Sequence, residues 1–246
     1  TNWTVFNGIT TSTISKLLKD NNGEIVILAY NDGIYLVDNE NDNWEEWTKF
    51  DSDNSIYSDN CEITIDNDNN IWISNQGIHK FSIDNPTVDL IDLNTSNSNL
   101  PSNYADAILA TDLGIYICEG RYLSELEDNN TNFVIHNISD SDLPNDYIYD
   151  MCKDNNGNIF LATKRGIAKF DGENPYNWTI FDEDNSDLPD NEVRVIMADS
   201  DDNIWAGIED GLIKFDGESH YGWIIFNENN SDFPLNSDFS VNTVNA

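Results

Sequence analysis

"NWTIFDEDNSDLPDNEVRVIMADSDDNIWAGIEDGLIKFDG", from Asn177 to Gly217, is close to a second writing of "FVIHNISDSDLPNDYIYDMCKDNNGNIFLATKRGIAKFDG", from Phe133 to Gly172. Subtracting residue numbers gives the period. Trp178 and Trp223 stand 45 apart, Phe133 precedes Trp178 by 45, and Trp3 precedes Trp47 by 44. A glycine opening a "GIxKF"-like run recurs at Gly33, Gly77, Gly166 and Gly211, with 89 positions between the middle two. That gap holds one degenerate copy, "YADAILATDLGIYICEGRYLSELE" (Tyr104 to Glu127), whose tight turn is shortened. A fixed period near 44 marks a repeat architecture and takes precedence over any local assignment.

Each copy carries four short runs of β character, in the fifth "EVRVIMA", "IWAGI", "GLIKF" and "GWIIF". Val, Ile, Trp and Phe fill them, and Asp, Asn, Gly and Pro clusters break them. Four strands per repeat predict an all-β fold, a β-propeller of four-stranded antiparallel blades with 44–45 residues per blade. The aromatics at the fourth strand (Trp3, Trp47, Phe133, Trp178, Trp223) and the second (Trp72, Phe160, Trp205) are expected to pack between blades. First and second strands meet at "DNNGEI" (Asp20), "DNDNNI" (Asp66), "DNNGNI" (Asp154) and "DSDDNI" (Asp199). Asn and Gly tolerate the left-handed backbone of such a turn, and the leading Asp can bond back to turn amides.

The pattern W-x-x-F … LP … V-x-x-I-x-x-D-x-x-G-N-I-W-x-G … G-L-x-K-F-D-G resembles the two-component regulator propeller repeat. The resemblance spans the chain, strongly in the last two copies and weakly from Val88 to Glu127. It implies a bacterial protein that is extracellular, at the cell surface or periplasmic. It carries little about activity, because one propeller scaffold hosts many tasks.

The expected organisation is one propeller domain over 1–246, with repeats at about 7–50, 51–93, 94–136, 137–181 and 182–226. Partial strands are expected at 1–6 ("NWTVF") and 235–246 ("SVNTVNA"). Five complete blades plus these pieces suggest a longer chain in which a sixth blade forms. Alternatively, a neighbouring copy completes the incomplete blade.

Net charge is −35, from 46 acidic and 11 basic side chains, which argues against phosphate-backbone binding and against an anionic membrane. No apolar run reaches the roughly 18 residues of a membrane span, so no direct membrane insertion is expected. Cys61, Cys118 and Cys152 fall in apolar runs without metal-ligand spacing and read as small core residues.

No cofactor is expected. Asp66, Asp68, Asp199 and Asp201 are weak calcium candidates, since "DNDNN" and "DSDDN" resemble the start of a D-x-D-x-D/N loop. The twelfth position, however, is Gly77 or Asp210 instead of Glu, and strands follow instead of a helix. His79, His136 and His220 fall in different repeats and form no constellation, and no nucleophile or metalloprotease motif occurs. A non-enzyme is expected, with a lyase-like activity a distant alternative.

Binding is the better reading. Loops between second and third strands, and segments leading into each inner strand, gather at one end of a propeller. They carry Tyr30, Asn75, Gln76, Glu119, Arg121, Tyr147, Lys164, Arg165, Glu209 and Asp210 as candidate ligand contacts, with Tyr104, Asp146 and Glu192 beside them. Amides, carboxylates, Arg and Tyr suit a glycan or a peptide. Arg121, Lys164 and Arg165 could equally neutralise nearby acids. The alternative function is a structural or adhesive surface protein whose propeller units associate with other copies through incomplete terminal blades.

Overall fold

A computed structural model describes residues 14–29, 33–37, 48–50, 61–83, 85–127, 132–137, 143, 147–170, 178–227 and 229–231. The partial strands expected at 1–6 and 235–246, with Trp3, Trp47 and Tyr30, lie outside them. Among the described residues every element is a strand, and the strands form five four-stranded antiparallel sheets.

The first sheet comprises β1 (Ile14–Lys19), β2 (Ile25–Ala29), β3 (Gly33–Val37) and β4 (Thr48–Phe50), and the second β5 (Glu62–Ile65), β6 (Asn70–Ser74), β7 (Ile78–Ser82) and β8 (Asn85–Leu93). The third comprises β9 (Ala107–Ala110), β10 (Gly114–Glu119), β11 (Tyr122–Glu127) and β12 (Val134–His136). The fourth holds β13 (Ile148–Lys153), β14 (Ile159–Thr163), β15 (Gly166–Phe170) and β16 (Thr179–Phe181), and the fifth β17 (Val195–Ala198), β18 (Ile204–Ile208), β19 (Gly211–Phe215) and β20 (Ile224–Phe226). Each is an up-and-down meander in chain order, the blade expected from the repeat. The chain packs as two compact units, 1–110 and 111–246.

Packing follows strand alternation, because successive side chains point to opposite faces. In the first unit Val26, Leu28 and Ile34 of the first sheet bury against Ile63, Ile71, Ile73 and Phe81 of the second. In the second unit Phe160, Ala162 and Ile167 of the fourth sheet bury against Ile204, Ala206, Ile213 and Phe215 of the fifth, with Trp223 beside them. Phe215 and Trp223 stack with ring centroids 4.1 Å apart. The face carrying the second-strand aromatic thus meets the opposite face of the next sheet. Phe133 and Trp223 are buried, and Trp178 is half-buried. Cys118 is buried while Cys61 and Cys152 are half-buried, and none of the three is in a disulfide. Burial, then the neighbouring Asp150 and Asp154 charges, push the Cys152 thiol well up.

The glycine that opens the third strand of the fourth and fifth sheets has a steric cause. A Cβ at Gly166 would overlap the carbonyl oxygen of Phe181 on β16, and one at Gly211 that of Phe226 on β20. Gly166 also takes a φ of 112°, where a side chain is strained. The lysine of the same run is equally placed. Lys80 is the cross-strand partner of Trp72, with its amine 4.9 Å from the ring centre and 3.0 Å from the Asp66 carboxylate. Lys214 repeats this over Trp205, at 4.9 Å from the ring and 3.7 Å from Asp199.

Candidate functional site

Two ends of the blades bear polar clusters. At one end are the turns between first and second strands, built around the leading Asp. Asp199 Oδ1 accepts the backbone N–H groups of Asp201 (3.0 Å) and Asn203 (2.9 Å), while Oδ2 accepts the Trp205 indole N–H at 2.8 Å. Asp66 does the same with Asp68, Asn70 and Trp72, at 3.0, 2.8 and 2.8 Å. The indole donor and the Asn203 amides, working against burial, hold the Asp199 carboxyl well below the usual carboxylate range. At Asp66 burial pulls upward, but the donors of Asn70, Trp72 and Lys80 outweigh it and lower the carboxyl. In the third sheet the shortened turn substitutes a hydroxyl: Thr111 Oγ1 accepts Leu113 N–H at 3.1 Å and Gly114 N–H at 3.2 Å.

These turns also join neighbouring sheets. Asn21 donates its backbone N–H to Asn69 Oδ1 and its amide to the Asp66 and Asn67 carbonyls, all at 3.0 Å. Asn155 N–H donates to Asp202 Oδ1 at 2.8 Å in the second unit. The calcium candidates Asp66 and Asp199 therefore spend both carboxylate oxygens on N–H donors, whereas Asp68 and Asp201 are exposed. Among the described residues no group of three His, Cys, Asp or Glu side chains is arranged to hold a metal ion. The histidines are separate: His79 bonds the Asn75 carbonyl at 2.8 Å, His136 lies 3.5 Å from Glu125, and His220 lies 3.2 Å from Asn185.

At the other end are the tips between second and third strands and the segments leading into the inner strands. Among the described residues the second, third and fourth tips are pinned to the lead-in of the next sheet. Gly77 N–H donates to the Asn103 carbonyl at 3.0 Å, Ile148 N–H to the Gly120 carbonyl at 3.1 Å, and Gly166 N–H to the Asn191 carbonyl at 2.7 Å. Lys164 N–H further bonds the Tyr147 carbonyl at 3.2 Å, and Val193 N–H the Thr163 carbonyl at 3.0 Å. In the second unit this backbone belt runs from Gly120 through Tyr147 and Lys164 to Val193.

Sequence-expected candidates divide at these tips and lead-ins. Gln76, Arg121, Tyr147, Lys164, Arg165, Glu209 and Asp210 are exposed, whereas Asn75 and Glu119 turn inward and are buried. Ser124 donates to Glu119 at 3.0 Å, which ties that carboxylate into its own sheet. Tyr104 is exposed, and Asp146 lies outside the described residues. Two further residues join the cluster. Tyr149 on β13 packs its ring 5.1 Å from Tyr147 and donates its hydroxyl to Glu192 at 3.3 Å. Arg194, just before β17, holds Glu192 at 2.9 Å. Burial first, then the charge of Glu192, raise the Tyr149 phenol above its ordinary value. Both residues sit inside runs that read as apolar inner strand. The available signal was the rarity of arginine, which occurs in this chain at 121, 165 and 194 alone.

Compared with known families, residues 142–165 and 187–210 match the family model described as Two component regulator propeller. Both matches run from the Leu-Pro segment through the inner and second strands to the rim tip. No curated protein matches the sequence. Among solved structures, the chain is similar to the extracellular domain of a protein assigned to the hybrid two component systems of B. thetaiotaomicron. The TM-score is 0.74 at 19% identity, over 93% of this chain and 30% of that one. An extracellular domain assigned to a one component system of the same organism gives 0.66 at 18%, over 90% and 32%. Catalytically inactive virginiamycin B lyase from Staphylococcus aureus, with quinupristin, gives 0.68 at 13%, over 92% and 72%. The chain therefore spans about a third of the length of the two component-system domains. At these identities the likeness shows the fold, a β-propeller.

Proposed function

We propose that this propeller is a non-enzymatic recognition module working outside the cytoplasm, at the bacterial surface or in the periplasm, with the rim as its ligand site. The observation that carries the reading is the belt of backbone bonds that, in the second unit, links the third and fourth tips to the next lead-ins. It presents exposed Arg, Lys and Tyr side chains from fixed supports, and loops held by a rigid scaffold are the usual seat of binding. The regulator-propeller match covers the tips of the fourth and fifth sheets, and similar structures are extracellular sensor-type domains, which supports the location. A glycan or a short peptide fits the side-chain chemistry.

The test is a binding screen of neutral and acidic oligosaccharides and peptides against the chain and two double variants, Lys164→Gln/Arg165→Gln on the rim and Asp68→Asn/Asp201→Asn at the opposite end. Loss of binding in the rim variant alone supports the reading. Equal binding in all three proteins refutes it.

A second reading, association of copies through sheet faces, draws on the fifth sheet. Trp205 and Met197 there are half-exposed, whereas Phe160, at the position matching Trp205 in the fourth sheet, is fully buried. Sedimentation that stays monomeric at high concentration would dismiss it.

A further inference from the structure

Positive charge in this chain is scarce, and most of it is committed. Lys16 is 2.6 Å from Glu62, Lys80 is 3.0 Å from Asp66, Lys153 is 3.3 Å from Asp112, and Lys169 is paired with Glu218. These lysines lie along the blades and offset acids of the sheets and turns. The rim of the second unit differs. Lys164 and Arg165 project from the fourth tip, both exposed, and among the described residues neither has a carboxylate within ion-pair distance. Every arginine of the chain is on this rim: Arg121 at the third tip, Arg165 at the fourth, and Arg194 at the fifth lead-in.

An aromatic surface lies among these cations. The Tyr147 carbonyl receives the Lys164 N–H, and the next residue, Ile148, donates to Gly120, the neighbour of Arg121. Tyr147 therefore stands between the tip carrying Arg121 and the tip carrying Lys164 and Arg165. It is 45% exposed and braced from behind by Tyr149. Glu192, which would otherwise repel an anion here, is engaged by Arg194 and by the Tyr149 hydroxyl.

Resting on the rim-binding reading, we infer that the ligand is an acidic saccharide, its carboxylate or sulfate held by Lys164 and Arg165 and its sugar ring laid on Tyr147. Guanidinium forks match carboxylate and sulfate geometry, and a tyrosine offers a broad apolar face with a polar edge. An extended acidic peptide suits the site less well. Strand-type peptide recognition needs open backbone donors and acceptors. Here the Gly120 and Thr163 carbonyls and the Lys164 and Gly166 N–H groups are already spent on the belt.

The experiment is calorimetric titration of the chain with tetragalacturonate, a chondroitin sulfate tetrasaccharide, neutral maltotetraose and cellotetraose, and hexaglutamate. It is repeated with Lys164→Gln/Arg165→Gln, Tyr147→Ala, and the distant control Asp68→Asn. Thermal unfolding of each variant checks that it is folded. Binding of the uronate or the sulfated sugar, weakened at least tenfold by the double variant and by Tyr147→Ala but unchanged in the control, is the expected result. Which of the two binds identifies the anionic group. A rim that binds a neutral saccharide as well as an acidic one, with the double variant unaffected, overturns this inference and leaves the rim as a glycan site. Binding of hexaglutamate alone, lost in the rim variants, overturns the saccharide and leaves the rim as a binding site. No binding of any probe, or binding that no rim substitution moves, overturns both.

Discussion

Replacing Asp199 by Asn tests what the repeated turn contributes. Asparagine has the shape of aspartate, and its oxygen can still accept the Asp201 and Asn203 backbone N–H groups at 3.0 and 2.9 Å. The new NH2 then faces the Trp205 indole N–H, donor against donor, where the carboxylate had accepted at 2.8 Å. One hydrogen bond to a charged group is worth roughly 1.5–3 kcal/mol. Trp205 is half-exposed, so water recovers part of that, and the expected cost is about 2 kcal/mol. For a chain of this size that lowers the unfolding midpoint by roughly 4–8 °C. Urea unfolding followed by tryptophan fluorescence at pH 7 measures it. The cost should also depend on acid in a defined sense. The native carboxyl is held below its unfolded value, so its contribution is complete above the unfolded value, near pH 4, and is lost as the pH falls towards the lowered one. Each pH unit below about 3.9 should shrink the difference between wild type and variant by up to about 1.4 kcal/mol. Trp205→Phe removes the donor but keeps a ring to stack on Phe226, so in that background Asp199→Asn should cost at least about 1 kcal/mol less. A variant within about 0.5 kcal/mol of wild type at pH 7, or a cost identical at pH 3 and pH 7, would refute the clamp.

Gly166→Ala should destabilise by about 3 kcal/mol or more, because its Cβ overlaps the Phe181 carbonyl and its φ is 112°; Gly157→Ala, with φ of 87° but open space around it, should cost only about 1 kcal/mol. Comparable losses for the two by urea titration would dismiss the steric explanation. Asn21→Ala removes both side-chain bonds to the second turn and should cost about 1 kcal/mol, read from a shifted urea midpoint. Calcium or a chelator should move the melting temperature by less than about 1 °C, since binding to the turns would require displacing N–H donors from Asp66 and Asp199. A calcium-dependent rise of several degrees would show that the exposed partners Asp68 and Asp201 suffice.

The architecture was legible because it is written five times. A period of 44–45 with four β-type runs leaves few alternatives, and Asp20, Asp66, Asp154 and Asp199, which lead four of the five turns, bond back to amides as their position suggested. Other features were beyond reach. Nothing in the spacing of the "GIxKF" runs singles out their lysines, and only the Trp72–Lys80 and Trp205–Lys214 registers show that Lys80 and Lys214 each span an indole and a turn carboxylate. At the rim, position alone was informative and orientation was not. Asn75 and Glu119 occupy the same tips as Gln76 and Arg121 yet are buried, Asn75 just past the end of β6 and Glu119 as the last residue of β10, its carboxylate accepting from Ser124. Arg194 was hidden in the opposite way, by standing one residue before an apolar strand.

A last prediction follows from setting the acidic surface against the rim. An ordinary cationic site binds anions more tightly as salt is removed. Here a net charge of −35 surrounds a few local cations, and the two act over different distances. At about 0.15 M salt the screening length is about 8 Å, so the distant acids are hidden while contacts with Lys164 and Arg165 persist. At about 0.01 M it lengthens to about 30 Å, and most of the molecule's negative field reaches the ligand. Affinity for an acidic oligosaccharide should therefore rise as salt increases from about 0.01 to 0.15 M and fall again near 1 M, where even contacts are screened. Titrating the chain at these three salt concentrations decides it. Steady weakening from the lowest salt upward would mean that the local cations govern the field at the rim, and that the acidity of the remaining surface has no part in how ligand arrives.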